Sequence, residues 1–198
     1  MKSLAIIPLG LGIMLAAIPA RADETSCTGS LVGETINGNL VVPDGETCSL
    51  TNVRVTGNVL VRTGATLVMP GGNVTISGNL QANRCKTVAI EPQGPVSVGG
   101  NVAIQSCTPQ ANQSLGYQPE PPFSVTISGS FLCQSNAGPC RAALGSIGGN
   151  ANVSQNTGGT SLVAGNTIGG NLLCFGNTGV RGSNNTVEGK KLGQCAGP

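Results

Sequence analysis

The chain contains no histidine and no tryptophan, and among its 198 residues there are only one tyrosine and three phenylalanines. Serine and cysteine nucleophiles usually depend on a histidine base, so the common triad chemistry has no candidate members here. Charge is scarce as well, at 9% of residues. Ten Lys and Arg stand against eight Asp and Glu, which is not the basic excess that holds nucleic acid or an anionic membrane surface. Beyond the first residues there is no apolar run approaching the ~20 needed to span a bilayer. Yet 39% of the chain is hydrophobic, mostly Val, Leu, Ile and Ala, enough to expect an ordered chain rather than a disordered one.

What is abundant is glycine, at 31 residues, and much of it is periodic. A β-branched apolar residue, any residue, Gly, usually Asn, then usually an apolar residue is written out as Ile76-Ser77-Gly78-Asn79-Leu80. It recurs at Gly38, Gly57, Gly78, Gly100, Gly129, Gly149, Gly170 and Gly189. Two positions before these stand Ile36, Val55, Ile76, Val98, Ile127, Ile147, Ile168 and Val187, a column suited to strands and not to helices. Spacings of 19 to 22 residues, with one interval of 29, mark a solenoid in which each unit buries its apolar face only by stacking on the next. The expected fold is all-β: a single-domain parallel β-solenoid, right-handed, of about eight coils with one insertion loop. Ile36, Val55, Ile76, Val98, Ile127, Ile147 and Ile168 should form one inward stack. Val55, Val59, Val61, Leu67 and Val68 are expected inward in the second coil, and Ile76, Leu80, Ala82, Val88 and Ile90 in the third. The Gly-Asn pair reads as a bend, since both residues tolerate positive φ, with the Asn amides hydrogen-bonding along the rod. The Gly- and Asn-rich coils after residue 130 should have shorter, weaker strands. Lys190 and Lys191, in place of Asn and an apolar residue, should discourage end-to-end stacking.

Residues 1–22 read as a signal peptide, with Lys2, an apolar stretch from Leu4 to Ile18 and a small-residue site at Ala20-Arg21-Ala22. The expected domain is then 23–198. Losing Lys2 and Arg21 leaves eight basic residues against eight acidic ones, a net charge of zero. A secreted location, extracellular or periplasmic, without stable membrane insertion after cleavage follows. In such a compartment the eight cysteines should pair. Cys85 and Cys107 each lie seven residues beyond a repeat Gly, so neighbouring coils stack them. Cys27 with Cys48, Cys133 with Cys140 and Cys174 with Cys195 complete the expected set. A metal site lacks its histidines and any C-x-x-C spacing, and no cofactor is expected.

The long interval holds an insertion at 108–123, with Pro109, Pro119, Pro121 and Pro122. Loops freed from a rigid scaffold are where recognition tends to sit, and Tyr117, Glu120 and Phe123 are its candidate binding residues. A second candidate is a face of hydroxyls. Three positions before each repeat Gly lie Thr35, Arg54, Thr75, Ser97, Thr126, Ser146, Thr167 and Thr186, which should point outward if their neighbours point inward. Thr75 with Ser77, Ser97, and Thr126 with Ser128 would make a polar array for ordered water or a sugar chain.

The segments CTGSLVGETINGNLVVPDGETCSL at 27–50 and IGGNLLCFGNTGVRGSNNTVEGKKLGQC at 168–195 resemble secreted bacterial β-solenoid proteins, a resemblance that carries no activity with it. The coils between are similar to those of bactofilin-like and adhesin-type β-helix repeats.

Hydrolysis of a glycosidic bond needs two neighbouring carboxylates. Asp44 and Glu46 are close, on either side of a turn glycine. Arg54, Arg62 and Arg84 have no acidic cluster beside them to hold the calcium of a lyase. The Gly182–Lys190 segment does not keep phosphate-loop spacing. No catalytic residue is assigned. The reading is a secreted, non-enzymatic structural or surface-interaction protein that meets a cell-surface glycan or protein, with a carbohydrate-binding or carbohydrate-active β-helix as the alternative and an ice-binding hydroxyl face as a further one.

Overall fold

A computed structural model of the chain describes residues 23–90, 93–108 and 125–197 in full, and the backbone of 113–115. The expected signal peptide at 1–22 lies outside the described residues. So do Tyr117, Glu120 and Phe123.

The described chain is all-β and winds as a single-domain parallel solenoid of about seven turns. Each turn crosses three sides. Side one has nine strands, from Glu24–Ser26 to Lys191–Gly193, and sides two and three have eight each. On every side a strand pairs in parallel with its counterparts one turn earlier and one turn later, as Val96–Val98 does with Val74–Ile76 and Val125–Ile127. Eight repeat glycines mark eight rungs and therefore seven stacking steps. Among the described residues no helix is long and apolar enough to cross a membrane.

Strand alternation puts every second residue inward. Ile36, Val55, Ile76, Val98, Ile127, Ile147 and Ile168 are all buried, and each is the register partner of the next. Val59, Val61, Leu67, Leu80, Ala82, Val88 and Ile90 fill the core beside them. Val68 was expected inward and is not. The strand Thr66–Gly71 buries Leu67 and Met69 and turns Val68 outward, because two successive residues of one strand cannot share a face.

The expected shortening after residue 130 comes late: Phe131–Gln134, Cys140–Ala143, Ala151–Ser154 and Thr160–Ala164 run to four or five residues, and the strands from Thr167 onward to two or three. Buried amides stabilise these turns where apolar residues thin out. Asn136, Asn156 and Asn166 are at most 1% exposed. Asn136 donates its backbone N–H (3.2 Å) and its Nδ2 (2.9 Å) to Asn156 Oδ1. Asn156 does the same to Asn177, and Asn177 to Gln194 Oε1. No buried side-chain nitrogen or oxygen among the described residues lacks a partner, as a polar group inside a core requires.

The three corners turn by different means. Between sides one and two the chain passes through a left-handed residue, Gly45 and Gly64 in the first two turns and then, one place earlier in the register, Arg84, Ser106, Ser135, Gln155 and Gly176. Between sides two and three Gly33, Asn52, Gly72, Leu144, Gly165 and Asn184 do the same. The Gly-Asn corner works otherwise. Of the eight repeat glycines only Gly38 has a positive φ, so a bend through positive φ is not why the others are glycine. A Cβ on Gly78 would sit 2.5 Å from Asn58 Oδ1 and 2.7 Å from the Gly57 carbonyl oxygen. Turns approach too closely there for any side chain.

All four expected cysteine pairs are at disulfide distance, with Cα separations of 5.5 Å for Cys27–Cys48, 4.5 Å for Cys85–Cys107, 6.4 Å for Cys133–Cys140 and 5.3 Å for Cys174–Cys195. Three join successive turns and one closes a corner within a turn. The insertion is only partly outside the rod. Gln113–Leu115 is a strand of side two, paired with Thr87–Ile90 on one edge and Cys140–Ala143 on the other, so 108–123 is not wholly freed from the repeat.

Candidate functional site

The rigid rod presents three long faces, and each candidate site is a column of side chains one turn apart. On side three the outward column is Thr35, Arg54, Thr75, Ser97, Thr126, Ser146, Thr167 and Thr186, each in register with the next. Thr126 is exposed and Thr75 and Ser97 are half-buried. Ser77 and Ser128 are exposed beside this column, so the structure brings together all five hydroxyl residues singled out from the sequence. Their second column is interrupted for a tertiary reason. A Cβ at Gly99 would lie 2.4 Å from the Ser77 carbonyl oxygen, and one at Gly148 the same distance from that of Ser128. Gly99, Gly148 and Gly169 leave their rungs bare, and the array is one hydroxyl wide along most of its length.

Side two carries a shorter threonine column, Thr47, Thr66 and Thr87. The Asp44 carboxylate is committed to structure: its Oδ1 accepts the Thr63 backbone N–H at 3.0 Å. Among the described residues no three of His, Cys, Asp and Glu are gathered as metal ligands would be, and the ion pair there is Arg62 Nη2 to Glu24 Oε1 at 3.5 Å.

Side one was not singled out from the sequence. Its corner carries the amide ladder. Asn58 donates its backbone N–H (2.9 Å) and Nδ2 (3.1 Å) to Asn39 Oδ1. Asn79 does so to Asn58, and Asn101 to Asn79. Ser130 replaces Asn in the ladder, its Oγ accepting the Asn150 N–H at 3.1 Å, and Asn171 and Lys190 close it. Beside this corner lies an outward row, Val41, Leu60, Gln81, Ala103, Leu132, Asn152 and Leu173, in register strand by strand. Corner and row enclose a groove of about 280 Å³ lined by Glu24, Asn39, Val41, Asn58, Val59, Leu60, Asn79 and Gln81. A second cavity, about 230 Å³, lies over the last turn and is lined in part by Arg181, Asn185, Lys191 and Gln194.

The groove could have been read from the sequence by following the residue three places after each repeat Gly, where Leu60, Ala103, Leu132 and Leu173 interrupt the polar expectation for an outward position. The buried ladder was signalled by Asn136, Asn156 and Asn177, spaced 20 and 21 residues apart like the repeat itself.

Comparison with known proteins finds no matching family model, no similar curated protein and no similar solved structure.

Proposed function

We propose that this chain is an exported, non-enzymatic rod that serves as a structural or surface-interaction element outside a bacterial cytosol. The observation that carries the reading is where the disulfides lie. A stacked array frays from its ends, since a terminal turn has one neighbour and not two. Cys27–Cys48 ties the first turn and Cys174–Cys195 the last, while Cys85–Cys107 and Cys133–Cys140 flank the insertion. Staples at the weak points suit a protein that must persist among proteases, and four disulfides are consistent with an oxidising compartment.

The test is to express the full chain in an exporting bacterium. Recovery outside the cytosol with a new N-terminus at Asp23, and resistance to protease that reductant abolishes, supports the reading. A reduced cytosolic protein, or cleavage of any polysaccharide by the purified chain, overturns it. A second reading, a carbohydrate- or ice-binding hydroxyl face, is favoured by the column from Thr35 to Thr186 on side three, which bears a hydroxyl at every position but Arg54. Growing ice in the presence of the protein, with and without Thr126→Arg, tests the ice-binding form.

A further inference from the structure

We infer that the groove on side one, between the Asn39-Asn58-Asn79 corner and the Val41-Leu60-Gln81 row, binds an extended, uncharged polysaccharide chain lying along the rod axis. The inference rests on the surface-interaction reading above and names the partner's chemistry.

Hydrogen-bond valence comes first. In the ladder each amide oxygen accepts two N–H groups from the next turn, and a carboxamide oxygen has two lone pairs. Its accepting capacity is therefore filled. Each Nδ2 spends one hydrogen on the ladder and keeps one outside it. At Asn58, Asn79 and Asn101 the corner thus presents a row of N–H donors, one per turn, at the strand spacing of ~4.8 Å. A donor row asks for a ligand with an oxygen at each repeat. A glycan in extended form supplies hydroxyl, ring and linkage oxygens at every residue.

The floor and the charge narrow the class. Half-buried Leu60 gives an aliphatic floor for the C–H face of a sugar ring, and exposed Gln81 supplies both a donor and an acceptor, while Val41 at the head of the row is buried. The one carboxylate at the groove, Glu24, is paired with Arg62. From Asn39–Val42 to Leu172–Cys174 the seven successive strands of side one contain no charged residue. Nothing there compensates a ligand carboxylate or sulfate.

Size argues against a second copy as the occupant. Seven strands at ~4.8 Å by three residues at ~3.3 Å give a face of roughly 330 Å², under half of the ~800 Å² per partner that a stable protein interface buries. A single polymer chain has that width.

The experiment is calorimetric titration of the full exported protein with cellohexaose and with chitohexaose, with a galacturonic acid hexamer as the charged control. At least one neutral hexamer should bind, and the acidic one should bind at least tenfold more weakly. Leu60→Arg and Gln81→Arg, both outward, should each weaken binding at least tenfold, and Thr47→Arg on side two should leave it unchanged. Asn58→Ser keeps a ladder acceptor, as Ser130 does, and loses the projecting N–H; it should weaken binding a few-fold with thermal stability held. Binding of neither neutral hexamer, tighter binding of the acidic one, or loss through Thr126→Arg and not Leu60→Arg overturns the inference. So does a concentration-dependent dimer in sedimentation that Leu60→Arg abolishes, which would assign the groove to a second copy. Any of these failures leaves export and protease resistance, and with them the stapled-rod reading, untouched.

Discussion

Asn58 and Asn79, one turn apart, share a single oxygen: Asn58 Oδ1 accepts the Asn79 backbone N–H at 2.9 Å and its side-chain N–H at 3.1 Å. Asn156 and Asn177 make the same pair of bonds inside the core, at 3.0 and 3.1 Å, with the polarity along the rod reversed: here the earlier turn donates and the later one accepts.

The two ladders should differ in cost. Asn156→Ala leaves the Cys133 carbonyl and the Asn136 amide groups without their partner in a fully buried site, where an orphaned group costs about 1–3 kcal/mol. A loss of about 3 kcal/mol is expected in denaturant unfolding. Asn58→Ala, at an exposed corner where water substitutes, should cost about 1 kcal/mol or less. Equal losses would mean that burial does not set the ladder's contribution.

The corners respond oppositely to added side chains. Gly78→Ala forces a Cβ against the previous turn and should destabilise by about 1–3 kcal/mol, the range for overpacking. Leu144, exposed and held at φ 58°, pays the left-handed penalty that Asn largely escapes, so Leu144→Asn should stabilise by about 0.5 kcal/mol. Paired thermal melts decide both.

Ile76 lies in the continuous inward stack between Val55 and Val98. Ile76→Ala should cost about 2–5 kcal/mol. An alanine variant as stable as the parent would contradict the register of side three.

Peptide mapping without reductant should return 27–48, 85–107, 133–140 and 174–195. A Cys85 link to Cys133 or Cys174 would contradict the stacking of turns. Replacing Cys174 and Cys195 by Ser should cost about 2–4 kcal/mol, and hydrogen exchange should show lost protection confined to the last turns, because each turn contacts only its neighbours.

Trimming the insertion should give two results. Replacing 116–122 with a Gly-Ser linker should preserve stability, whereas replacing 109–122 removes Gln113–Leu115 and strips a parallel partner from both Thr87–Ile90 and Cys140–Ala143. Melting temperatures of the two variants distinguish a rung from a decoration.

The repeat was legible because stacking in a solenoid converts sequence period into spatial register. Residues 19 to 22 apart become neighbours, so the column from Ile36 to Val187, the outward hydroxyls and the cysteine pairs can all be read from one dimension. What each position tolerates was not legible, because it depends on distances between turns. Asn58 and Asn156 have the same residue type and similar spacing, yet one lines a surface corner and the other is buried. Gly78 reads as a flexible bend and is in fact glycine because the turn beneath it leaves no room for a Cβ. Gln113–Leu115 lies in a proline-rich insertion without the repeat, and only the strands above and below recruit it into side two. The groove on side one likewise exists only when Leu60 and the Asn corner are brought side by side. Period is a property of the chain, and it specified the rod. Close approach, burial and hydrogen-bond direction are properties of neighbouring turns, and the tertiary structure decided them.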